Sequence, residues 1–154
     1  ITDAAPLSHV GSGGTAHANA TSSTAGFMSD TDKAKLDLVT SGTYSPTITG
    51  VANTSSVFGY DSQYIRVGSI VTVSGRVDVD PVAAATNTRV GISLPIASNF
   101  ANANECCGTA NSSAVVSECG AIIADTVNDR AQLTYVTSTT AANAMWYTFT
   151  YKII

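Results

Sequence analysis

Charge is what this sequence has least of. Asp, Glu, Lys and Arg make up 12% of its 154 residues, about half the share of an ordinary soluble domain. The seven basic residues, Lys33, Lys35, Arg66, Arg76, Arg89, Arg130 and Lys152, are scattered, and the net charge is −4. No basic stripe exists that could neutralise a run of phosphates, so nucleic acid is not an expected partner. Long apolar runs are missing as well. None approaches the roughly 20 residues that span a bilayer, so no membrane insertion is expected. No signal peptide is visible, and a start at Ile1 rather than Met points to the C-terminal piece of a longer protein. Cysteines number three, Cys106, Cys107 and Cys119, which is no disulfide framework. A bridge from Cys119 to one of the adjacent pair is conceivable across a hairpin. Small thiols in a chain made in a reducing cytoplasm are the simpler reading.

What the sequence does have is hydroxyl and small apolar side chains. About a quarter of the chain is Ser or Thr, 44% is hydrophobic, and the mean hydropathy is +0.18. Solubility therefore rests on hydroxyls and amides. The composition shifts near Gly42. Residues 1–42 are rich in Gly, Ser, Ala and Thr, and their one helical patch is "MSDTDKAKLDLV". There Ser29 is a good N-cap, with Asp32 at the third helical position, able to reach back to it. Leu36 and Val39 are expected on one face, and Gly42 is a candidate terminator. A helix near 29–39 is too short to stand alone in water. The segment has almost nothing to bury it against, so a thin stalk that shares its core with identical chains is expected, with Leu36 and Val39 packing at the axis.

Residues 43–154 read as half-buried strands. In "SQYIRVGSIVTVSGRVDVDP", Gly68-Ser69 makes a glycine-first hairpin turn. Val71, Val73, Val77 and Val79 then share one face, opposite Thr72, Ser74, Arg76 and Asp78. "TNTRVGISLP" is a further strand, and "GAIIADTVNDRAQLTYV" is a hairpin turning at Asn128-Asp129. In "AMWYTFTYKII", Met145, Tyr147, Phe149, Tyr151 and Ile153 form the strongest apolar face. Residues 98–118 read as a long polar connection. Short strands separated by turn signals imply an all-β fold, an antiparallel sandwich or jelly roll.

Signs of catalysis are thin. No nucleophile elbow, phosphate-binding loop or zinc-protease helix appears. With two glutamates in the chain, the one acidic pair at strand spacing is Asp78 and Asp80, which reads as exposed charge at a hairpin edge. His9 and His17 would each form a ring of three in a trimer, and such a ring can hold a metal ion. A lone histidine is more often a packing or surface residue, and no cofactor is expected.

"SHVGSGGTAHANATSSTAGFMSDTDKAKLDLV" resembles a segment that recurs in bacteriophage tail-fibre and related virion appendage proteins. The shared pattern is H-V-G-x-G-G-x-x-H-A, then A-T, A-G-F-M-S and D-K-x-K-L-D. It is matched by His9, Gly11, Gly13, Gly14, His17, Ala20-Thr21, Ala25 to Ser29 and Asp32 to Asp37, while Leu38 stands where the family often has glycine. The β-rich remainder is similar to C-terminal domains of phage structural proteins.

The resemblance implies a homotrimeric, non-enzymatic virion fibre. Its preceding part would join other virion proteins, and its distal domain would meet a host glycan or outer-membrane component. A structural appendage without a receptor (head fibre, collar or spike) and a polysaccharide-cleaving tailspike are the alternatives. Because loops on a β-scaffold carry function, Asn99, Asn102, Asn104 and Asn111 are the expected receptor contacts, weak singly and multiplied by avidity.

Overall fold

The structure, a computed structural model, describes Thr21, Ser23 and residues 28–154. His9, His17 and the glycine-rich run of the stalk segment lie outside the described residues. The chain divides into two compact units between Thr40 and Ser41.

In the first unit the helix is α1 (Asp30–Asp37). Its cap forms as expected. Ser29 Oγ accepts the Asp32 N–H at 3.0 Å and donates to Asp32 Oδ2 at 2.8 Å. That hydrogen bond, helped by Lys35, holds the Asp32 carboxyl below the usual range. The helix is two turns long. It ends where Leu38 N–H donates to the Lys35 carbonyl at 3.2 Å, and the chain enters β1 (Val39–Tyr44) at once. Two expectations are corrected here. Gly42 lies inside β1 and does not stop the helix. Val39 opens a strand and is not a helical neighbour of Leu36. The cause is local, because β-branched Val39, Thr40 and Thr43 favour extended backbone, so no left-handed cap is needed. Leu36 and Val39 are 54% and 47% exposed.

The second unit is a single antiparallel sheet. After β1 come β2 (Ile48–Ala52), β3 (Thr54–Gly59), β4 (Ser62–Val67), β5 (Ile70–Pro81), β6 (Thr86–Ile92), β7 (Cys106–Ser112), β8 (Cys119–Asp125), β9 (Arg130–Thr137) and β10 (Asn143–Lys152). Their order is β1-β4-β5-β10-β7-β8-β9-β6-β2, and β3 also pairs with β5. One edge of β5 is therefore shared, with β4 along its first half and β3 along its second.

The sheet curls because β2 and β3 are nearly one strand, broken at Asn53. β2 pairs with β6, and β3, one residue later, pairs with β5 at the other side of the sheet. Asn53 has φ 54, a left-handed conformation that asparagine tolerates. Its side chain fixes the corner by donating to the Ala83 carbonyl and Thr88 Oγ1, at 2.9 and 2.8 Å, and by accepting the Ala83 N–H at 2.8 Å.

The concave face is the core. Val71, Val73, Val77 and Val79 are fully buried, as the alternation in β5 requires, and Met145, Tyr147, Phe149 and Tyr151 face them from β10. Gly68 has φ 63, which suits the glycine-first turn. The second hairpin turns between Asp125 and Arg130 as expected, with Asp129 at φ 47.

The 98–118 connection is corrected. Its middle is β7, an interior strand between β10 and β8. Ser98 and Phe100 are buried, and Ala103–Glu105 forms a single 3-10 turn. β7 escapes a hydropathy reading because its inward residues are small: Cys106, Gly108, Ala110 and Ser112. They have to be. A Cβ on Gly108 would stand 2.2 Å from the Thr148 carbonyl oxygen and 2.5 Å from Phe149 Cβ.

One end of the sheet is closed by a buried carboxylate. Glu118 is 2% exposed. Its Oε1 accepts from Ser138 N–H at 2.5 Å, Ser138 Oγ at 2.7 Å and Thr137 Oγ1 at 3.2 Å, and its Oε2 accepts from Asn143 Nδ2. Asn143 Oδ1 accepts in turn from Ser112 Oγ at 2.6 Å. Four segments are tied together by these contacts.

Candidate functional site: a trough across the outer face of the sheet

Alternation in the strands that builds the core also sets the outer face, and the register aligns outward residues into rows perpendicular to the strands. One row is tall. Trp146 on β10 stands opposite Arg76 on β5 and opposite Asn111 on β7, which is opposite Cys119 on β8. The neighbouring row is low. Ser74, Thr148, Thr109, Ala121 and Thr134 follow one another across β5, β10, β7, β8 and β9. Five strands at about 4.8 Å spacing give a floor about 19 Å long. Two concavities, of about 590 and 680 Å³, lie along it and share Thr109 and Asn111. The result is a continuous shelf with one raised wall.

The wall is preorganised at its aromatic end. The Arg76 guanidinium lies 4.4 Å from the Tyr60 ring centroid and 5.6 Å from that of Trp146. Its Nε and Nη2 each donate to Asp78 at 2.9 Å, and Tyr60 Oη donates to Asp78 Oδ2 at 2.9 Å. Phe58 meets Tyr60 edge-on at 5.0 Å. Cation–π stacking of this kind holds exposed rings in place. Trp146 is 52% exposed and Phe58 62%, so the rings are available to a ligand while their positions are fixed. The floor is the reverse, polar and, apart from Thr148, whose Oγ1 donates to the Val73 carbonyl at 3.1 Å, uncommitted. Among the described residues, the side chains of Gln63, Ser74, Thr109 and Thr134, and of Asn111 in the tall row beside them, make no hydrogen bond within the chain.

The site's electrostatics suit binding better than proton transfer. Donating to the Asp78 carboxylate raises both the Tyr60 phenol and the Arg76 guanidinium above their ordinary values. Both keep their protons across the physiological range. Asp78 and Asp80 are outward on β5, but β5 is an interior strand, which corrects their reading as edge charges. Each is engaged, Asp78 as described and Asp80 by Ser56 Oγ at 2.9 Å. Among the described residues, no three His, Cys, Asp or Glu side chains gather as a metal site.

The four asparagines expected to meet a receptor are split. Asn111 lies in the trough. Asn99, Asn102 and Asn104 are exposed on the 93–105 connection, which packs at the far end of β10, where Ser98 Oγ donates to the Lys152 carbonyl at 2.9 Å. Asn102 Nδ2 is turned toward Glu105 Oε1 at 3.3 Å. From Trp146 to Tyr151 is five residues, about 17 Å of strand. The trough's main features, Trp146 and the low hydroxyl row, were not among the expected contacts. Their signal is cross-strand register, which only the topology supplies. The cysteines are separated too. Cys107 stands opposite Ile123 and Cys119 opposite Asn111, Cys106 points into the core, and all three are free. Compared with protein-family models, curated proteins and solved structures, the chain matches none.

Proposed function

We propose that this chain is the distal part of a bacteriophage virion fibre, assembled as a homotrimer, that attaches to the host cell surface without catalysis. The observation that carries the attachment reading is the exposed, preorganised Tyr60–Arg76–Trp146 wall above an uncommitted polar floor. A rigid sheet presents it, and ligand sites of this kind combine aromatic surface with a few fixed polar groups. The fibre assignment rests on the tail-fibre-like segment from His9 to Asp37. Support for shared packing comes from α1, which is two turns long and leaves Leu36, Leu38 and Val39 exposed. Nothing that short persists alone in water. Within the distal domain, β5 and β6 contribute to one core, which is consistent with the curled sheet serving as a sandwich-like tip. Such a particle is extracellular after release, with the preceding part of the protein joined to other virion components.

The test has two readings. Light scattering on the purified protein is expected to give three times the chain mass. The fluorescently labelled trimer is expected to adsorb saturably to a subset of strains in a broad bacterial panel. A monomer at micromolar concentration would overturn the assembly. Absence of adsorption to every strain would leave a structural appendage as the better reading.

A further inference from the structure

We propose that the outer-face trough binds an extended, uncharged oligosaccharide lying perpendicular to the strands, with one ring stacked on Trp146. This deepens the attachment reading and rests on it for biological meaning, though not for its test.

Three features of the trough select this ligand. The first is shape. A floor about 19 Å long and one residue row wide admits a linear chain of several small units, and it is too shallow to enclose a compact ligand. The second is the pairing of chemistries. The C–H face of a pyranose ring is apolar and slightly positive, which matches the negative face of an indole. Its hydroxyls both donate and accept, as do the free hydroxyls and amides of Ser74, Thr109, Asn111 and Thr134. A peptide strand would instead seek a sheet edge with unpaired backbone groups, and the floor strands β5, β10, β7, β8 and β9 are all interior.

Charge is the third feature. The floor from Ser74 to Thr134 is neutral, as is Gln63 beyond it on β4. Its wall contains one cation, Arg76, whose charge Asp78 already matches through two hydrogen bonds. The charges in line with the trough are Asp61 beside the Tyr60 end and Arg89 one strand past Thr134. A polyanionic chain would find no free cation along the floor itself, and any gain at Arg89 would be opposed by the Asp61 carboxylate at the other end. Neutral sugars incur neither penalty.

Trp146 is the chain's one tryptophan, so its emission reports this wall alone. The experiment titrates the intact protein with neutral linear tetrasaccharides of glucose, galactose, mannose and N-acetylglucosamine, and with oligogalacturonate as the polyanion. At least one neutral series is expected to shift the emission saturably, with affinity rising from mono- to tetrasaccharide. Oligogalacturonate is expected to give no saturable change. By calorimetry, Trp146→Ala should weaken the tetrasaccharide at least tenfold and Trp146→Phe should restore most of the loss. Thr109→Arg, which blocks mid-floor, should reduce tetrasaccharide affinity to that of a disaccharide.

No response to any neutral series, tighter binding of oligogalacturonate, or unchanged affinity in both Trp146→Ala and Thr109→Arg would each overturn the proposal. Cell adsorption provides the separation. If the protein adsorbs to cells even after periodate has destroyed their glycans, and binds no sugar, the trough inference fails and attachment stands. If it binds sugar and no cells, attachment fails and the trough stands.

Discussion

Glu118 offers the sharpest test of how this fold is held together. The carboxylate is 2% exposed and has no cationic partner among its contacts, so its charge is balanced by hydrogen bonds alone. Burial pushes its carboxyl up. The bonds from Ser138, Asn143 and Thr137 outweigh that and hold it below its ordinary 4.5. In Glu118→Ala, the buried Asn143 Nδ2 loses its carboxylate acceptor and keeps only a weak contact with Met145 Sδ at 4.0 Å, and two bonds from Ser138 disappear. Thr137 keeps a partner in the Thr139 carbonyl at 2.8 Å. A hydrogen bond to a charged group is worth about 1.5–3 kcal/mol, and a buried donor left unsatisfied costs about 1–3 kcal/mol. Ser138 is exposed, so water can replace its two bonds; the lost Asn143 bond and its stranded donor give an expected loss of about 2.5–6 kcal/mol.

Glu118→Gln should be milder, about 1–2 kcal/mol. Its oxygen can still take the Ser138 and Thr137 bonds, and Asn143 can flip to present its own oxygen to the new amide. Linkage gives a second signature. A depressed native pKa means the unfolded state binds the proton more tightly. The stabilisation is therefore full above 4.5 and is lost as pH falls through the lower native value. Urea unfolding from pH 7 to pH 2.5 should show wild type losing stability on the acid side, and Glu118→Gln should flatten that loss. Equal stability of all three proteins at pH 7, or an unchanged acid limb in the glutamine variant, would refute the network as described.

Other consequences are quicker to check. Phe149 is 1% exposed, stacked on Tyr147 at 5.9 Å and next to Tyr151 at 6.2 Å, so Phe149→Ala should cost about 3–5 kcal/mol by chemical denaturation; native-like melting would remove β10 from the core. Leu36→Asp should lower the mass seen by light scattering, because like charges would meet wherever three helices share an axis; an unchanged trimer would place the packing elsewhere. A thiol-reactive dye should label Cys107 and Cys119 in the native protein. Cys106, fully buried and with its thiol pushed up to about 12 by burial, should react only on unfolding.

How much of this could be read from the sequence depends on side-chain size. β5 and β10 were legible because bulky residues alternate in them, Val71 to Val79 and Met145 to Tyr151. The N-cap at Ser29 was legible because its chemistry is local. β7 was not, because its inward residues Cys106, Gly108 and Ala110 are small, and at Gly108 Phe149 and the β10 backbone leave no room for a side chain. A strand of small residues has the hydropathy of a loop. Asn111 was chosen for its amide and found its place in the trough by register. Asn99, Asn102 and Asn104 were chosen by the same rule and fell at the other end of the sheet. The trough itself is assembled from five strands whose order, β5-β10-β7-β8-β9, appears nowhere in the chain's linear pattern.

The most direct measurement is a paired adsorption assay on any strain that the labelled wild-type protein recognises. Wild type and Trp146→Ala, matched for mass and melting temperature, would be compared across a concentration series. If three sites act together, as in the proposed trimer, a tenfold loss per site should be amplified by avidity. Adsorption of Trp146→Ala should fall by well over tenfold, with Trp146→Phe largely restoring it. Superimposable curves for wild type and Trp146→Ala would contradict the account and place host contact on another surface.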